Sequence, residues 1–154
     1  MDTCPFCKIL AGELAGTIIY QDEICTAIMD IQPINPGHML VIPNQHIPDL
    51  ASLPADTGAH IFVVGQKLAA ALRRSSVHCE GVNFFLADGK AAMQDVFHFH
   101  LHIIPRFEGD GFGFQFSPRY AELPTREELE IIGFHMKEAL EIIEKSKNLL
   151  EKDL

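Results

Sequence analysis

From Phe97 to Ile103 the chain alternates strictly, with His98, His100 and His102 at every second position and Phe97, Phe99, Leu101 and Ile103 between them; Ile104, Pro105 and Arg106 close the run. A period of two belongs to a strand, whose successive side chains leave opposite faces. A strand over residues 96–104 therefore carries three imidazoles on one side, about 6.8 Å apart, and sends Phe99, Leu101 and Ile103 into a core on the other. Three histidines buried for packing alone would be costly, because each needs hydrogen-bond partners. Imidazole is a nucleophile and a proton carrier near neutral pH, so the row suits attack on phosphorus and protonation of a leaving group. His-x-His on a strand is also a common ligand pair, and on spacing alone a metal-dependent hydrolase using His98, His100 and His102 together stays open.

The rest of the chain supplies neighbours for such a strand. Residues 18–21 and 24–29 read as a hairpin turning at Asp22-Glu23, residues 39–42 as a buried strand closed by Pro43, and residues 82–86 as a further strand. Phe6 to Leu10 form a short helix that stops at Gly12. Ile61, Val64, Leu68 and Leu72 recur at helical spacing within a helix from Asp56 to about Ser75. A capping box, Thr125-x-x-Glu128, opens a long amphipathic helix from about 125 to 150 with Leu129, Ile132, Met136, Leu140 and Ile143 on one face. Strands in the middle with helices between and after them predict an α+β fold built on an antiparallel sheet. The 154 residues make one domain, with no repeat or linker.

Composition narrows the partners. Twelve basic against twenty-one acidic residues give a charge of −9, the wrong sign for gripping long nucleic acid. A small anionic ligand is still compatible, provided local amides and imidazoles receive it. No apolar run approaches the ~18 residues of a membrane span. The start Met1-Asp2-Thr3-Cys4 lacks a secretory pattern, so a cytoplasmic location is expected. Four cysteines then mean thiols or metal ligands, with Cys25 and Cys79 as core residues. Cys4-x-x-Cys7 has metal-ligand spacing but nothing nearby to complete it, and it lacks the βαβ context of a redox pair.

The run Gln94-Asp95-Val96-Phe97-His98-Phe99-His100-Leu101-His102-Ile103-Ile104-Pro105-Arg106 resembles the signature of the histidine-triad (HIT) nucleotide hydrolases and transferases. Residues 30–47, with Asp30, Asn35-Pro36-Gly37-His38 and Ile42-Pro43-Asn44-Gln45-His46, are similar to that family's other hallmark. Cys4-Pro5-Phe6-Cys7 resembles the start of its bacterial Hint-like branch, so the resemblance runs from Cys4 to about Phe114. It implies a sheet continued across a homodimer and a purine nucleoside phosphoramidase or nucleotidyl hydrolase releasing a mononucleotide such as AMP. His100 would attack the α-phosphorus and form a covalent nucleotidyl-histidine. His102 would donate to a phosphate oxygen or leaving group, His98 would belong to the catalytic set as the first triad histidine, and His38 would assist from the neighbouring strand. Asp30 would take the ribose hydroxyls, Phe6, Ile9, Ile28 and Ile31 would wall the base, and Gln94, Asp95 and Val96 would lie against the nucleotide. A structural zinc would be held by Cys4, Cys7, His46 and His98, with no organic cofactor. A diadenosine polyphosphate hydrolase and a nucleotide-binding regulator with weak catalysis are the alternatives. His60, His78 and His135 match nothing in the family and read as solvated.

Three positions depart from the pattern. Met93 stands where a glycine usually precedes the glutamine, to let backbone amides approach the phosphate. Ala87 replaces an asparagine, and Asp95 stands where a small hydroxyl residue often donates, which an ionised carboxylate cannot do.

Overall fold

The computed structural model describes residues 4–150. Helix α1 (Pro5–Leu10) is followed by strands β1 (Ile18–Gln21), β2 (Cys25–Met29) and β3 (Met39–Pro43), helix α2 (Ala55–Leu72), strands β4 (Gly81–Phe85) and β5 (Leu101–Arg106), and helix α3 (Arg126–Leu150). The five strands form one antiparallel sheet in the order β1-β2-β3-β5-β4. These residues group into two compact units, one through Phe112 and one from Gly113. In the second, Thr125 and Glu128 exchange hydrogen bonds in the capping box that opens α3.

Strand alternation sorts the first unit into two apolar layers. On one face Ala27, Met39, Val41, Leu101 and Ile103, joined by Phe99, pack against Ile61, Val64, Leu68 and Leu72 of α2. On the other, Ile28, Leu40 and Ile42 pack against Cys4 and Phe6, with Ile9 and Val96 alongside. Buried on both sides, β3 reads as an unbroken apolar run. The register sets Leu40 beside His102, so His102 faces the α1 side.

Two expectations need correction. The histidine run is not one strand over residues 96–104: β5 begins only at Leu101, and the chain bends through Val96–His98, where the His98 amide bonds the Val96 carbonyl. The cause lies in β3, whose last residues, Ile42 and Pro43, pair with β2 alone. Its pairing with β5 stops at Val41, and Phe99 turns its amide to the Ile47 carbonyl instead, at 2.6 Å. Nor is His60 solvated: half-buried on α2, it donates through Nε2 to Asp22 at 2.7 Å. Asp22 also accepts Tyr20 Oη–H and the amides of Ile24 and Cys25, and these bonds hold its carboxyl well below the usual range despite the opposing desolvation. This carboxylate locks the β1–β2 turn to α2.

Candidate functional site

The α1 face of the sheet ends in a cavity of about 410 Å³. Its walls come from three segments: Phe6, Ile9 and Leu14 at the amino terminus; Ile28, Asp30 and Ile31 at the end of β2; and Asp95, Val96, His100 and His102 before and within β5. Met29, Gln32, Leu40, Pro5, Ala15 and Gly16 complete it. Gly16 admits Ile9: a Cβ there would lie 2.6 Å from Ile9 Cγ2. Among the described residues, Asp30 and Asp95 are its two formally charged side chains, and no lysine or arginine lines it.

Hydrogen bonds fix which nitrogen of each imidazole carries the proton. His100 Nδ1 lies 2.7 Å from the His98 carbonyl, which can only accept, so Nδ1 donates. Nε2 of the neutral ring is left with a lone pair, and burial keeps the ring neutral by pushing its pKa below the ordinary 6.5. His38 Nε2 and His102 Nδ1 are 2.9 Å apart. His38 Nδ1 lies 3.2 Å from the Ile34 amide, which must donate to it, and 3.4 Å from an Asp30 oxygen. Burial lowers the His38 pKa more than Asp30 raises it, so His38 is neutral and the amide bond prevails over an ion pair. Its proton therefore sits on Nε2 and is donated to His102 Nδ1. His102 in turn carries its own proton on Nε2, as a neutral donor, its pKa held down to about 4 by burial and by His100 and His38. The site thus pairs an acceptor nitrogen on His100 with a donor nitrogen on His102, and their ring centroids are 4.9 Å apart.

The segment between β2 and β3 keeps His38 in place. Asn35 is buried and donates to the Pro105 carbonyl at 2.9 Å and to Asp110 at 2.8 Å, tying this loop to the end of β5. The turn passes through Gly37 at φ +92°, where a Cβ would lie 2.9 Å from Val77. Asp30 accepts the Gln32 amide with Oδ1.

His98 turns away from the cavity. Its Nε2 donates to the Pro43 carbonyl at 2.9 Å, which leaves Nδ1 as a lone-pair nitrogen. Nδ1 lies 3.5 Å from Cys4 Sγ and 3.6 Å from Cys7 Sγ, and His46 Nδ1 is 3.3 Å from Cys7 Sγ. Tetrahedral zinc, with arms of about 2.3 Å to sulfur and about 2.0 Å to nitrogen, gives S···N edges of about 3.5 Å. Cys4, Cys7, His46 and His98 thus fit a zinc ion in donor type and in spacing, and they fill all four positions.

Asp95, Val96, Phe6, Ile9, Ile28, Asp30 and Ile31 all reach the cavity, whereas Gln94 does not line it. The buried Gln94 side chain accepts the Gly89 amide and donates to the carbonyls of Pro48 and Val96, closing the turn before the histidines. In that turn Met93 has φ +68°, the left-handed region. The demand on this position is therefore a backbone angle that glycine meets without strain. Ala87 is 5% exposed, inside the core. Sequence reasoning missed Leu14, Ala15, Met29, Gln32 and Leu40. Leu40 could have been found from the strand alternation that sets it beside His102, and Met29 is the last residue of β2; Leu14, Ala15 and Gln32 sit where no periodic signal reaches.

A family model for the HIT domain matches residues 11–109. An uncharacterized HIT-like protein of Borreliella burgdorferi is 42% identical over 117 residues, 75% of this chain and 84% of the relative. A protein of Arabidopsis thaliana named adenylylsulfatase HINT3 is 36% identical over 107 residues, 70% of this chain and 54% of the relative. Among solved structures, a zinc-bound histidine triad family protein from Mycobacterium smegmatis is 45% identical with a TM-score of 0.70, covering 76% of this chain and 84% of that one. A histidine triad nucleotide-binding protein from Candida albicans is 31% identical with a TM-score of 0.80, covering 92% and 99%.

Proposed function

The chain belongs to the HIT family, and from that premise we propose that it is a nucleotide hydrolase that releases a nucleoside monophosphate such as AMP through a covalent nucleotidyl-histidine at His100. The observation that carries this reading is the 2.7 Å bond from His100 Nδ1 to the His98 carbonyl. It supports a lone pair on Nε2 at neutral pH, so the nucleophile needs neither a metal nor a separate base.

In the first step the Nε2 lone pair forms a bond to the α-phosphorus while the bond to the leaving group breaks. His102 Nε2–H donates a hydrogen bond to a phosphate oxygen or to the departing atom, and a departing amine takes its proton from solvent, to which the water of the second step returns one. Phe6, Ile9, Ile28 and Ile31 hold the base, Asp30 accepts from the ribose hydroxyls, and the Asp95-Val96 segment faces the phosphate. Water then cleaves the P–N bond to His100 and returns the free ring. A covalent route divides one difficult displacement into two easier ones.

The charge of the cavity favours one class of leaving group. With Asp30 and Asp95 in the walls and neutral imidazoles at the reacting centre, the cavity suits a substrate bearing a single negative charge at phosphorus. A phosphoramidate leaving as an amine meets that condition better than a polyphosphate does. The Arabidopsis relative's name favours a second reading, adenylyl sulfate as substrate. Zinc at Cys4, Cys7, His46 and His98 would be structural, because those four residues complete its coordination.

The test is turnover of an adenosine phosphoramidate. His100→Ala should lower it by more than about 10³-fold, a barrier increase of about 4 kcal/mol. Full activity in that variant overturns the proposal, and a higher kcat/KM for adenylyl sulfate than for the phosphoramidate selects the second reading.

A further inference from the structure

Helix α1 has six residues and two duties. Cys4 at its N-cap and Cys7 within it point to His46 and His98. Between the two cysteines Phe6 is buried, and with Ile9 it walls the cavity. The Phe6 ring stands edge-on to both His98 and His100, with centroids 5.7 Å and 5.3 Å away. A second link runs through the backbone: His98, which offers Nδ1 to the thiols, gives its carbonyl to His100 Nδ1.

We propose that the four-residue metal set and the nucleotide cavity are thermodynamically coupled, with Phe6 and His98 as the positioning residues that join them. This rests on the nucleotide reading above. The physical reason is the weakness of α1 by itself. A helix far shorter than about 12 residues is not stable in isolation, and the Cys4 side chain makes no capping bond to it. Its seat on the sheet depends on the apolar layer beneath it and on whatever joins Cys4 and Cys7 to His46 and His98. Closing that set on a cation fixes Phe6 and Ile9 against the cavity and holds the His98 carbonyl under His100. A nucleotide that meets a wall already in place has less ordering left to do and binds more tightly. Linkage then requires the reverse: bound nucleotide must raise cation affinity by the same factor.

The experiment uses the full chain, with zinc and AMP as the probes. AMP affinity is measured by calorimetry on the zinc-loaded chain and after zinc is removed by a chelator. The free zinc concentration that half-fills the site is measured by competition with a chromophoric chelator, with and without saturating AMP. About tenfold tighter AMP binding with zinc, and about tenfold tighter zinc binding with AMP, are expected, within the usual range of such couplings. Phe6→Ala keeps all four ligands and should still bind zinc, with the mutual effect reduced toward onefold. Should the zinc-free chain unfold, the zinc competition still decides, because linkage through global folding would survive in Phe6→Ala. Its survival there overturns the role of Phe6. Equal AMP affinity in both forms, or no zinc uptake, overturns the coupling and leaves the nucleotide reading standing. No AMP binding in either form overturns both.

Discussion

Met93 is the non-glycine residue with a left-handed backbone among the described residues, at φ 68° and ψ 29°. It ends the 3₁₀ turn Lys90–Ala92, donates its amide to the Lys90 carbonyl at 3.1 Å, and leaves its side chain 73% exposed. Two substitutions separate the backbone from the side chain. Met93→Ala keeps the strain and removes a side chain that packs little, so it should change stability by less than about 0.5 kcal/mol. Met93→Gly removes the strain, worth about 1–2 kcal/mol for an L-residue in this region. It also frees the unfolded chain, which offsets about 0.5–1 kcal/mol. Glycine should therefore exceed alanine by about 0.5–1 kcal/mol. With a urea m-value of about 2 kcal/mol per molar, the midpoint should move up by about 0.3–0.5 M. Equilibrium unfolding in urea at fixed, saturating zinc is the assay, since any ligand selective for the folded state would shift the midpoint by mass action. Alanine and glycine variants of equal stability, or a less stable glycine variant, would refute the assignment of strain to this turn.

Three further outcomes follow from the packing and the charges. Gly65→Ala gains about 1 kcal/mol of helix propensity, but its Cβ would lie 3.0 Å from Phe84 Cε2 and 3.1 Å from Ile103 Cδ1. Crowding of about 1–3 kcal/mol should dominate, and a raised unfolding midpoint would contradict the packing of α2 on the sheet. Burial holds His102 down to about 4, against 6.5 when free, so between those values the unfolded chain binds the extra proton. Stability is thus full above about pH 6.5 and lost as pH falls toward about 4. In His102→Asn the loss should be shallower, and an unchanged slope in urea midpoint against pH would count against the buried neutral ring. We also expect a homodimer, because β4 is a sheet edge and Phe62, Val63 and Phe84 form an apolar patch beside it. Sedimentation showing only monomer at micromolar concentration would argue against that.

Much of this fold is legible in residue order alone. The hairpin turn before β2, the short apolar run of β3 closed by Pro43 and the helical spacing of Ile61, Val64, Leu68 and Leu72 are local signals, and β2, β3 and α2 lie within a residue or three of where those signals put them. Local signals fail where distant partners decide. His98 and His100 alternate like strand residues, yet they lie outside β5 because β3 ceases to pair there and Ile47 takes the Phe99 amide. His60 has no motif, and only the fold brings it to Asp22. Gln94 sits in the family pattern, but what its side chain does depends on the carbonyls of Pro48 and Val96. The cavity shows the same division. Its histidines and Asp30 stand out by chemistry, whereas Leu14, Ala15 and Gln32 belong to loops whose course depends on how α1 seats on the sheet.

Covalent nucleotidylation of His100 is tested by intact-mass analysis after rapid quenching of the chain with a slowly released adenylate substrate. A mass increase of one adenylate per chain is expected, mapped by peptide fragmentation to His100 and absent in His100→Ala. An adduct on another residue, or full turnover by His100→Ala, would contradict it.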